Sequence, residues 1–384
     1  MRLLALVGIF LFGGHEARSQ NLYVGSNFFN QTTNLTSGTN AYSNTYIGYS
    51  INSAYNTLNV FNGNTLLTNS GDTFIGYAGP NNSMVIYNGA TVSDSNAWIG
   101  YTGNGFANDY GNGNSVMVSD GGTVWTNSGL IMVGNGGFSN SLLVYNGASV
   151  TSSNLVVGGS NAFNGYPAGN TALVSGMGTN GSDARLYAQR VITVGSNSSG
   201  NSLVASNGGQ VTAYGGLIIG NGGNNNTVFI AGYDASNNPS TILAQNTTNG
   251  LNGSYNTLII SNGGVLNTGQ LLIGFGGTSN SVIVNGGVLN AYIIDISPQN
   301  SLVWNGGTID VGTSLGVGDG EIRVYGGTLV LNAPATNPNG LLTSINLVQS
   351  GSNIPTLSFS NSVGASSSLS SIDMLLISDR KSVV

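Results

Sequence analysis

Few side chains in this chain could carry out catalysis. The sequence has no Cys and a single His, His15, which lies near its N-terminus. In the rest of the chain this excludes a Ser-His-Asp triad, a Cys nucleophile and zinc bound through His or Cys. The chemistry that remains is that of carboxylates, hydroxyls and, away from the two ends of the chain, the arginines Arg185, Arg190 and Arg323.

Paired carboxylates could hydrolyse glycosidic bonds, but the acids here are spread singly along the chain. They include Asp72, Asp94, Asp109, Asp120, Asp183, Asp234, Asp295 and Asp310. Asp120 stands before two glycines, where other repeats have Asn, so we predict a turn role for it. Asp183, Arg185 and Arg190 form a cluster that contains both negative and positive charges. We interpret this cluster as a solvated insertion with a local ion pair, and an active site is the alternative.

Two glycine-rich segments resemble ligand-binding loops. Gly176 to Gly181 matches the spacing G-x-G-x-x-G after an apolar run, but a dinucleotide fold also needs a helix next and an acid about 20 residues later. Gly316 to Glu321 places two carboxylates on a turn that could bind calcium, but it lacks the regularly spaced acidic residues of a calcium-binding loop. We interpret the first as a chance match and the second as a plain turn. The sequence therefore predicts neither a metal site nor a cofactor.

Composition excludes several classes of protein. Only 5% of the 384 residues are charged, the net charge is -6, and 61 residues are Gly. Soluble globular domains carry roughly 25% charged residues and roughly 7% Gly. An ordinary cytoplasmic enzyme, a disulfide scaffold and a collagen-like chain do not fit these values. Nucleic acid is excluded as a partner, because its binding needs a basic footprint.

Both ends of the chain differ from the remainder. Met1 to Ser19 has a basic start, a short apolar core and small residues near its end, which predicts a secretory signal peptide over 1–19. The segment is too short to span a membrane as a mature helix, and no later stretch is apolar enough to do so. Residues 379–384 match the in-frame translation of a common sequencing adapter. We therefore expect a non-native tail there and a natural C-terminus that is missing.

The middle of the chain is built from repeats. Asn82 to Ala90, with the sequence NSMVIYNGA, matches Asn140 to Ala148, with the sequence NSLLVYNGA. The same Asn-Ser or Asn-Thr start recurs at Asn56, Asn114, Asn170, Asn201, Asn226, Asn256, Asn280 and Asn300. The starts are roughly 20–32 residues apart, which is typical of stacked supersecondary units. A second apolar run that ends in Gly follows most starts, as in Phe74-Ile75-Gly76.

Each repeat is predicted to contain short strands bounded by Asn-Gly or Gly-Gly corners. In the first strand the third and fifth residues are apolar, as in Leu58 and Val60, so we predict that they point inward. Stacked copies can bury a core that one strand pair cannot. The sequence therefore predicts an all-β fold, a right-handed parallel β-solenoid (β-helix) of about twelve short coils, in which the repeated Asn side chains form hydrogen-bonded ladders. A β-propeller is the alternative, but its blades need about 40 residues.

The repeats are similar to those of a known bacterial group. The unit N-[ST]-h-h-[VI]-x-N-G-[GA], followed by h-h-[VI]-G, where h is apolar, resembles the repeat of type V secretion (autotransporter) passengers and PEP-CTERM proteins. It also resembles the NGG repeats of autotransporter adhesins. The resemblance covers roughly Asn21 to Leu331. It implies a β-helix that is secreted or displayed at the outer membrane of a Gram-negative-type bacterium, and we expect its C-terminal barrel or sorting anchor to be missing here.

These observations divide the chain into four segments. We expect a signal peptide over 1–19 and a β-solenoid repeat domain over 20–332. Degenerate coils or a linker are expected over 333–378, where the repeat weakens and Ser becomes frequent, and the adapter-derived tail over 379–384.

Aromatic residues recur at two positions around the second apolar run. One position holds Tyr46, Phe74 and Trp98, preceded by Tyr23, and the position just after the Gly holds Tyr49, Tyr77 and Tyr101. If Ile47, Ile75 and Ile99 point inward, these aromatics point outward and stack from coil to coil. Such a row could bind sugar rings or a partner surface. Stabilisation of successive coils is the alternative role.

Two functions from different classes remain. The first is a structural or adhesive passenger that is not an enzyme and contacts glycans or cell-surface partners outside the cell. The second is a polysaccharide-active lyase or hydrolase, which would need two carboxylates about 5–10 Å apart in an open groove. The low charge and the scarcity of nucleophiles and bases favour the first.

Overall fold

The structure, a computed structural model, describes residues 20–102, 111–159 and 168–311, together with the backbone of five short strands after residue 319. The predicted signal peptide at 1–19 and the predicted tail at 379–384 lie outside the described residues. So do Asp109 and most of the turn from Gly316 to Glu321 that was considered for calcium.

The described residues form strands and no helices. In chain order the strands are β1 (Leu22–Val24), β2 (Thr32–Leu35), β3 (Gly38–Tyr42), β4 (Thr45–Ile47), β5 (Thr57–Phe61), β6 (Thr65–Asn69), β7 (Thr73–Ile75), β8 (Ser83–Tyr87), β9 (Thr91–Asp94), β10 (Ala97–Tyr101), β11 (Ser115–Ser119), β12 (Val124–Asn127), β13 (Leu130–Asn135), β14 (Ser141–Tyr145), β15 (Ser149–Ser152), β16 (Asn154–Gly159), β17 (Thr171–Ser175), β18 (Arg185–Ala188), β19 (Val191–Ser196), β20 (Ser202–Ser206), β21 (Gln210–Ala213), β22 (Gly216–Asn221), β23 (Thr227–Ala231), β24 (Thr241–Leu251), β25 (Thr257–Ser261), β26 (Val265–Phe275), β27 (Ser281–Ile296), β28 (Ser301–Val311), β29 (Gly320–Tyr325), β30 (Thr328–Leu331), β31 (Leu342–Gln349), β32 (Thr356–Phe359) and β33 (Met374–Ser378).

Strands up to β21 pair in parallel with the strand three places later. The series that begins with β2 and β5 forms the first face, the series of β3 and β6 the second face, and the series of β1, β4 and β7 the third face. From β24 onward single strands continue around a corner, since β24 pairs with β21 in its first half and with β22 in its second half. Three parallel sheets therefore wrap one interior. The chain is a parallel β-helix, which confirms the predicted fold class, while the hand of its winding and the total number of coils stay predictions.

The second face was not predicted as a separate strand. Its members are short and contain small or polar residues, as in β9, where only Val92 and Asp94 point inward and are buried. Two inward positions are too few to produce a clear period-2 pattern in the sequence. Each coil therefore has three strands where the repeats indicated two.

The interior is a continuous column of apolar side chains. Leu58 and Val60 of β5 are fully buried, as predicted, and so are the residues that pair with them, Met84 and Ile86 of β8. The alternate residues of these strands are half-buried. This arrangement follows from the period of two in a strand, because alternate side chains lie on opposite sides of the sheet.

A buried ladder of asparagine amides runs along one corner of the helix. It consists of Asn56, Asn82, Asn114, Asn140, Asn170, Asn201, Asn226, Asn256, Asn280 and Asn300. In each step, the backbone N–H and the Nδ2 of one Asn both donate to the Oδ1 of the next, over 2.8–3.3 Å. The predicted ladder is confirmed, and it satisfies polar groups that would otherwise be buried without partners.

The ladder explains why Gly follows the apolar run of the third-face strand. Gly76 and Gly100 have φ values of +72° and +77°, and a Cβ at either position would collide with the side chain of Asn114 or Asn140 respectively. Glycine therefore supplies both the left-handed backbone angle and the space for the amide of a later coil. The two motifs of the repeat are thus in direct contact.

We expect Asn140→Ala to lower the free energy of unfolding by about 2–4 kcal/mol, because it removes the acceptor of two buried donors of Asn114. Asn59→Ala is the matched control, since Asn59 makes an exposed side-chain hydrogen bond to Asn34. This control should lose about 0–1 kcal/mol. Urea unfolding of both variants gives the comparison, and equal losses would contradict the structural role of the ladder.

Candidate functional site

Aromatic rings form a row along the third face near the N-terminal end of the described structure. We call this row the aromatic stripe, and it consists of Tyr23, Tyr46, Phe74, Trp98, Tyr49, Tyr77 and Tyr101. Parallel pairing sets its spacing, because Tyr23 lies opposite Tyr46 in the register of β1 and β4. Phe74 of β7 is likewise opposite Tyr46 on one side and Trp98 of β10 on the other.

The first column of the stripe is a stack of nearly parallel rings. The ring centroids of Tyr23 and Tyr46 are 5.1 Å apart, and those of Tyr46 and Phe74 are 5.0 Å apart with an angle of 2° between the ring planes. Phe74 and Trp98 continue the stack at 6.4 Å. These distances lie in the range in which aromatic pairs attract each other.

The second column lies beside the first and contacts it edge to face. Tyr49 and Tyr77 are stacked at 5.2 Å, and Tyr101 follows Tyr77 at the same distance. Tyr77 meets Phe74 at 84°. The positive φ of Gly76, which separates Phe74 and Ile75 from Tyr77, turns the backbone at this corner. Both columns are therefore held by backbone geometry as well as by ring contacts.

The stripe is partly open to solvent. Tyr23 and Tyr49 are 46% and 40% exposed, and the other rings of the stripe are half-buried. The residue that follows the first column in each strand, such as Ile47 or Ile75, is fully buried. The rings thus present a long apolar surface on the outside of the helix.

Polar groups border one edge of the stripe. The indole Nε1–H of Trp98 donates to Oδ2 of Asp72 at 3.1 Å, and Nδ2 of Asn96 donates to Oδ1 of Asp72 at 2.9 Å. The backbone N–H of Asp72 donates to Oδ1 of Asn44 at 2.8 Å. Burial raises the pKa of Tyr46, with smaller contributions from neighbouring phenols and Asp72. The Tyr46 phenol therefore stays protonated and neutral at ordinary pH.

A buried chain of hydrogen bonds lies beneath the stripe. The Thr45 hydroxyl donates to Oδ1 of Asn69 at 2.9 Å, and Nδ2 of Asn69 donates to the Thr73 hydroxyl at 2.7 Å. Thr73 in turn hydrogen bonds to Asp94. Thr45 and Thr73 each precede a ring of the first column in sequence, so this chain fixes the strands that carry the rings.

Asp94 ends this chain inside the helix. Its side chain is only 4% exposed, and its carboxylate accepts hydrogen bonds from Nε1 of Trp125 at 3.1 Å and from Nδ2 of Asn127 at 2.7 Å. Burial raises the pKa of Asp94 to about 6, although these hydrogen bonds lower it. The desolvation of the charged form therefore outweighs its hydrogen bonds.

We expect the titration of Asp94 to make stability depend on pH. Its pKa is higher in the folded chain than in the unfolded chain, so its contribution is fully present below about pH 4 and is lost as the pH rises through about 6. The loss should be on the order of 3 kcal/mol. Urea unfolding between pH 4 and 8 measures it for the wild type and for Asp94→Asn, which cannot titrate. Parallel pH curves for the two proteins would show that this group is not responsible.

Two other carboxylates are brought together at a corner between the first and second faces. Burial raises the pKa of Asp183 first and the neighbouring Asp234 raises it further, while Arg185 lowers it. The local ion pair predicted for Asp183 stays a prediction, and Asp234, which lies two coils later, was not predicted to be near it. The backbone N–H of Arg190 instead donates to the carbonyl of Ser153.

The remaining sequence motifs are parts of corners. Asp120 has a φ of +75° at a turn, and its Oδ2 accepts a hydrogen bond from the backbone N–H of Asn88, so its predicted turn role is confirmed. Gly176 to Gly181 lies in a corner loop before β18 and not at the start of a helix. Among the described residues, no group of three or more acidic, His or Cys side chains could hold a metal ion.

No described helix has the length and apolar character needed to cross a membrane.

Comparisons with known proteins give limited similarity. No family model matches the chain, and no curated protein matches it. Among solved structures, the crystal structure of a TibC-catalysed, hyper-glycosylated fragment of TibA is similar at 17% sequence identity and a TM-score of 0.43, with 90% of this chain and 97% of that chain covered.

Proposed function

We propose that the protein is an exported structural or adhesive passenger, displayed outside the cell, whose aromatic stripe is a contact surface. The stripe is the observation that carries this proposal. Its rings are aligned along the axis of the helix and are held by register, by glycine corners and by the buried chain beneath them. An ordered apolar surface with a polar edge suits a partner that has both apolar faces and hydroxyl groups.

Sugar rings are such partners. The C–H face of a pyranose can lie flat on an aromatic ring, and its hydroxyls can reach the phenols of Tyr46 and Tyr49 or the polar edge at Asp72. The stacked rings of Tyr46 and Phe74 are 5.0 Å apart, so the stripe is continuous over successive coils. We therefore propose that the stripe contacts an extended glycan on another surface and not a single small molecule.

Export and attachment belong to the same proposal. The predicted signal peptide and the resemblance of the repeats to autotransporter passengers and PEP-CTERM proteins support secretion or display at an outer membrane. A C-terminal barrel or a sorting tail would supply the anchor, and sequencing the gene downstream of the repeats would show whether either is encoded. The non-enzymatic role remains part of the proposal.

A polysaccharide-active enzyme is the second candidate, and the Asp183–Asp234 pair is the observation that favours it. Retaining glycosidases hold their two carboxyl groups about 5–5.5 Å apart, and inverting enzymes hold them about 6.5–9.5 Å apart. Both carboxylate oxygens of Asp234 are engaged within their own loop, since Oδ1 accepts the backbone N–H groups of Ser236 and Asn238 and Oδ2 accepts Nδ2 of Asn238. This structural role favours the passenger over the enzyme.

The binding role of the stripe is tested by the double variant Tyr46→Ala with Trp98→Ala. On an array of immobilised glycans we expect the wild type to bind and the double variant to bind about tenfold more weakly, because two rings of the contact surface are lost. The matched control is Phe61→Ala with Tyr87→Ala, which removes a ring stack of 5.0 Å on the first face and should leave binding unchanged.

Retention of wild-type binding by the stripe variant would reject this role, and so would the absence of binding by the wild type. Urea unfolding of both double variants separates the two roles of the rings. If the stripe variant loses stability but binds normally, the rings only stabilise the coils.

A further inference from the structure

A groove on the second face lies between two corner loops. The loops are residues 176–184 and 232–240, and they occupy the same corner in two different coils. The coil between them has only a short turn at this corner, Asn207 to Gly209. The loops approach each other where Asp183 neighbours Asp234 and where the Ser236 hydroxyl lies 3.4 Å from the sulfur of Met177. We call the space beside them the second-face groove, and its volume is about 640 Å³.

The floor of the groove is made of outward side chains from successive strands. Arg185 of β18 pairs with Gln210 of β21, which pairs with Thr241 of β24, so the three side chains form a row. Tyr187, two residues after Arg185, lies on the same outer side and is 38% exposed. Parallel register therefore places a guanidinium, an amide, a hydroxyl and an aromatic ring on one flat surface.

The wall of the groove is held firmly in place. Nε2 of Gln210 donates to the carbonyls of Gly208 at 2.8 Å and Pro239 at 2.9 Å, which fixes its amide between the floor and the second loop. Oδ1 of Asp234 accepts the backbone N–H groups of Ser236 and Asn238, each at 2.8 Å. The groove is thus formed before any ligand arrives.

The pKa values of Asp183 and Asp234 shift in opposite directions. Hydrogen bonds from Asn238 and Ser236 lower the pKa of Asp234, whereas burial and the neighbouring Asp234 raise the pKa of Asp183. Asp234 therefore carries the charge, and Asp183 keeps a proton to higher pH. The two acids therefore reach their charged forms at different pH values, Asp234 first.

We infer that the second-face groove binds an uncharged saccharide of one or two rings without cleaving it. Its volume lies within the roughly 300–1,000 Å³ of small-molecule sites. Tyr187 offers a face for a sugar ring, and Arg185, Asp183 and Gln210 offer donors and acceptors for hydroxyls. The charges of Asp234 and Arg185 offset each other, which favours an uncharged ligand, and both oxygens of Asp234 are engaged by Ser236 and Asn238 and are not free for hydrolysis. This site is separate from the aromatic stripe.

The inference is tested by isothermal titration calorimetry of the full chain with cellobiose, maltose and lactose, and with digalacturonate as a charged comparator. We expect at least one neutral disaccharide to bind. Arg185→Ala with Tyr187→Ala should weaken its binding about tenfold, because these exposed side chains form the floor. Tyr214→Ala is the matched control, since Tyr214 is 68% exposed and lies outside the groove lining, and it should bind as the wild type does.

All titrations are repeated in a background with Tyr46→Ala and Trp98→Ala, which removes two rings of the aromatic stripe. Binding that persists there but is lost in the groove variant supports the inference, whatever the outcome for the stripe. The inference is overturned if no neutral disaccharide binds, if the groove variant binds normally, or if digalacturonate alone binds. Release of monosaccharides during incubation would overturn the statement that the groove does not cleave.

Discussion

The buried asparagine ladder is the interaction on which the rest of this molecule depends. A parallel β-helix leaves a corner in every coil where backbone N–H groups point along the axis and away from water. A single Asn at this corner supplies an oxygen that accepts one backbone N–H and one side-chain N–H from the Asn of the preceding coil, and an NH₂ group that donates to the next coil. Each coil is thereby fixed in register with its neighbours. The glycine that follows the third-face strand completes the arrangement, since it leaves room for the amide.

Register, once fixed, produces both candidate surfaces. Rings at one repeat position become a stack at about the strand spacing, as Tyr46 and Phe74 show. Residues at another position become the row of Arg185, Gln210 and Thr241. Corners tolerate insertions, because they lie outside the ladder of backbone hydrogen bonds, and two such insertions form the walls of the groove. A regular scaffold thus carries irregular sites.

The sequence predicted the features that repeat. The Asn starts, the inward pair represented by Leu58 and Val60, and the glycine corners recur often enough for the fold class, the core and the ladder to be inferred. The stripe residues were identified by the same periodicity, although their ligand was not. The second face escaped prediction because strands such as β9 contain small and polar residues on both sides. Asp234 escaped because its partner Asp183 lies in a different insertion, and insertions carry no periodic signal.

The ladder also has a direction. From Asn56 to Asn280, each amide donates an N–H to Oδ1 of the Asn in the following coil. Amide dipoles aligned in this way add, as the peptide dipoles of an α-helix do. The negative ends of the column face the first coils, where Oδ1 of Asn56 accepts the backbone N–H of Gln31, and the positive ends face later coils. The ladder therefore gives one corner of the β-helix a polarity along its axis, although only 5% of the residues in the chain are charged.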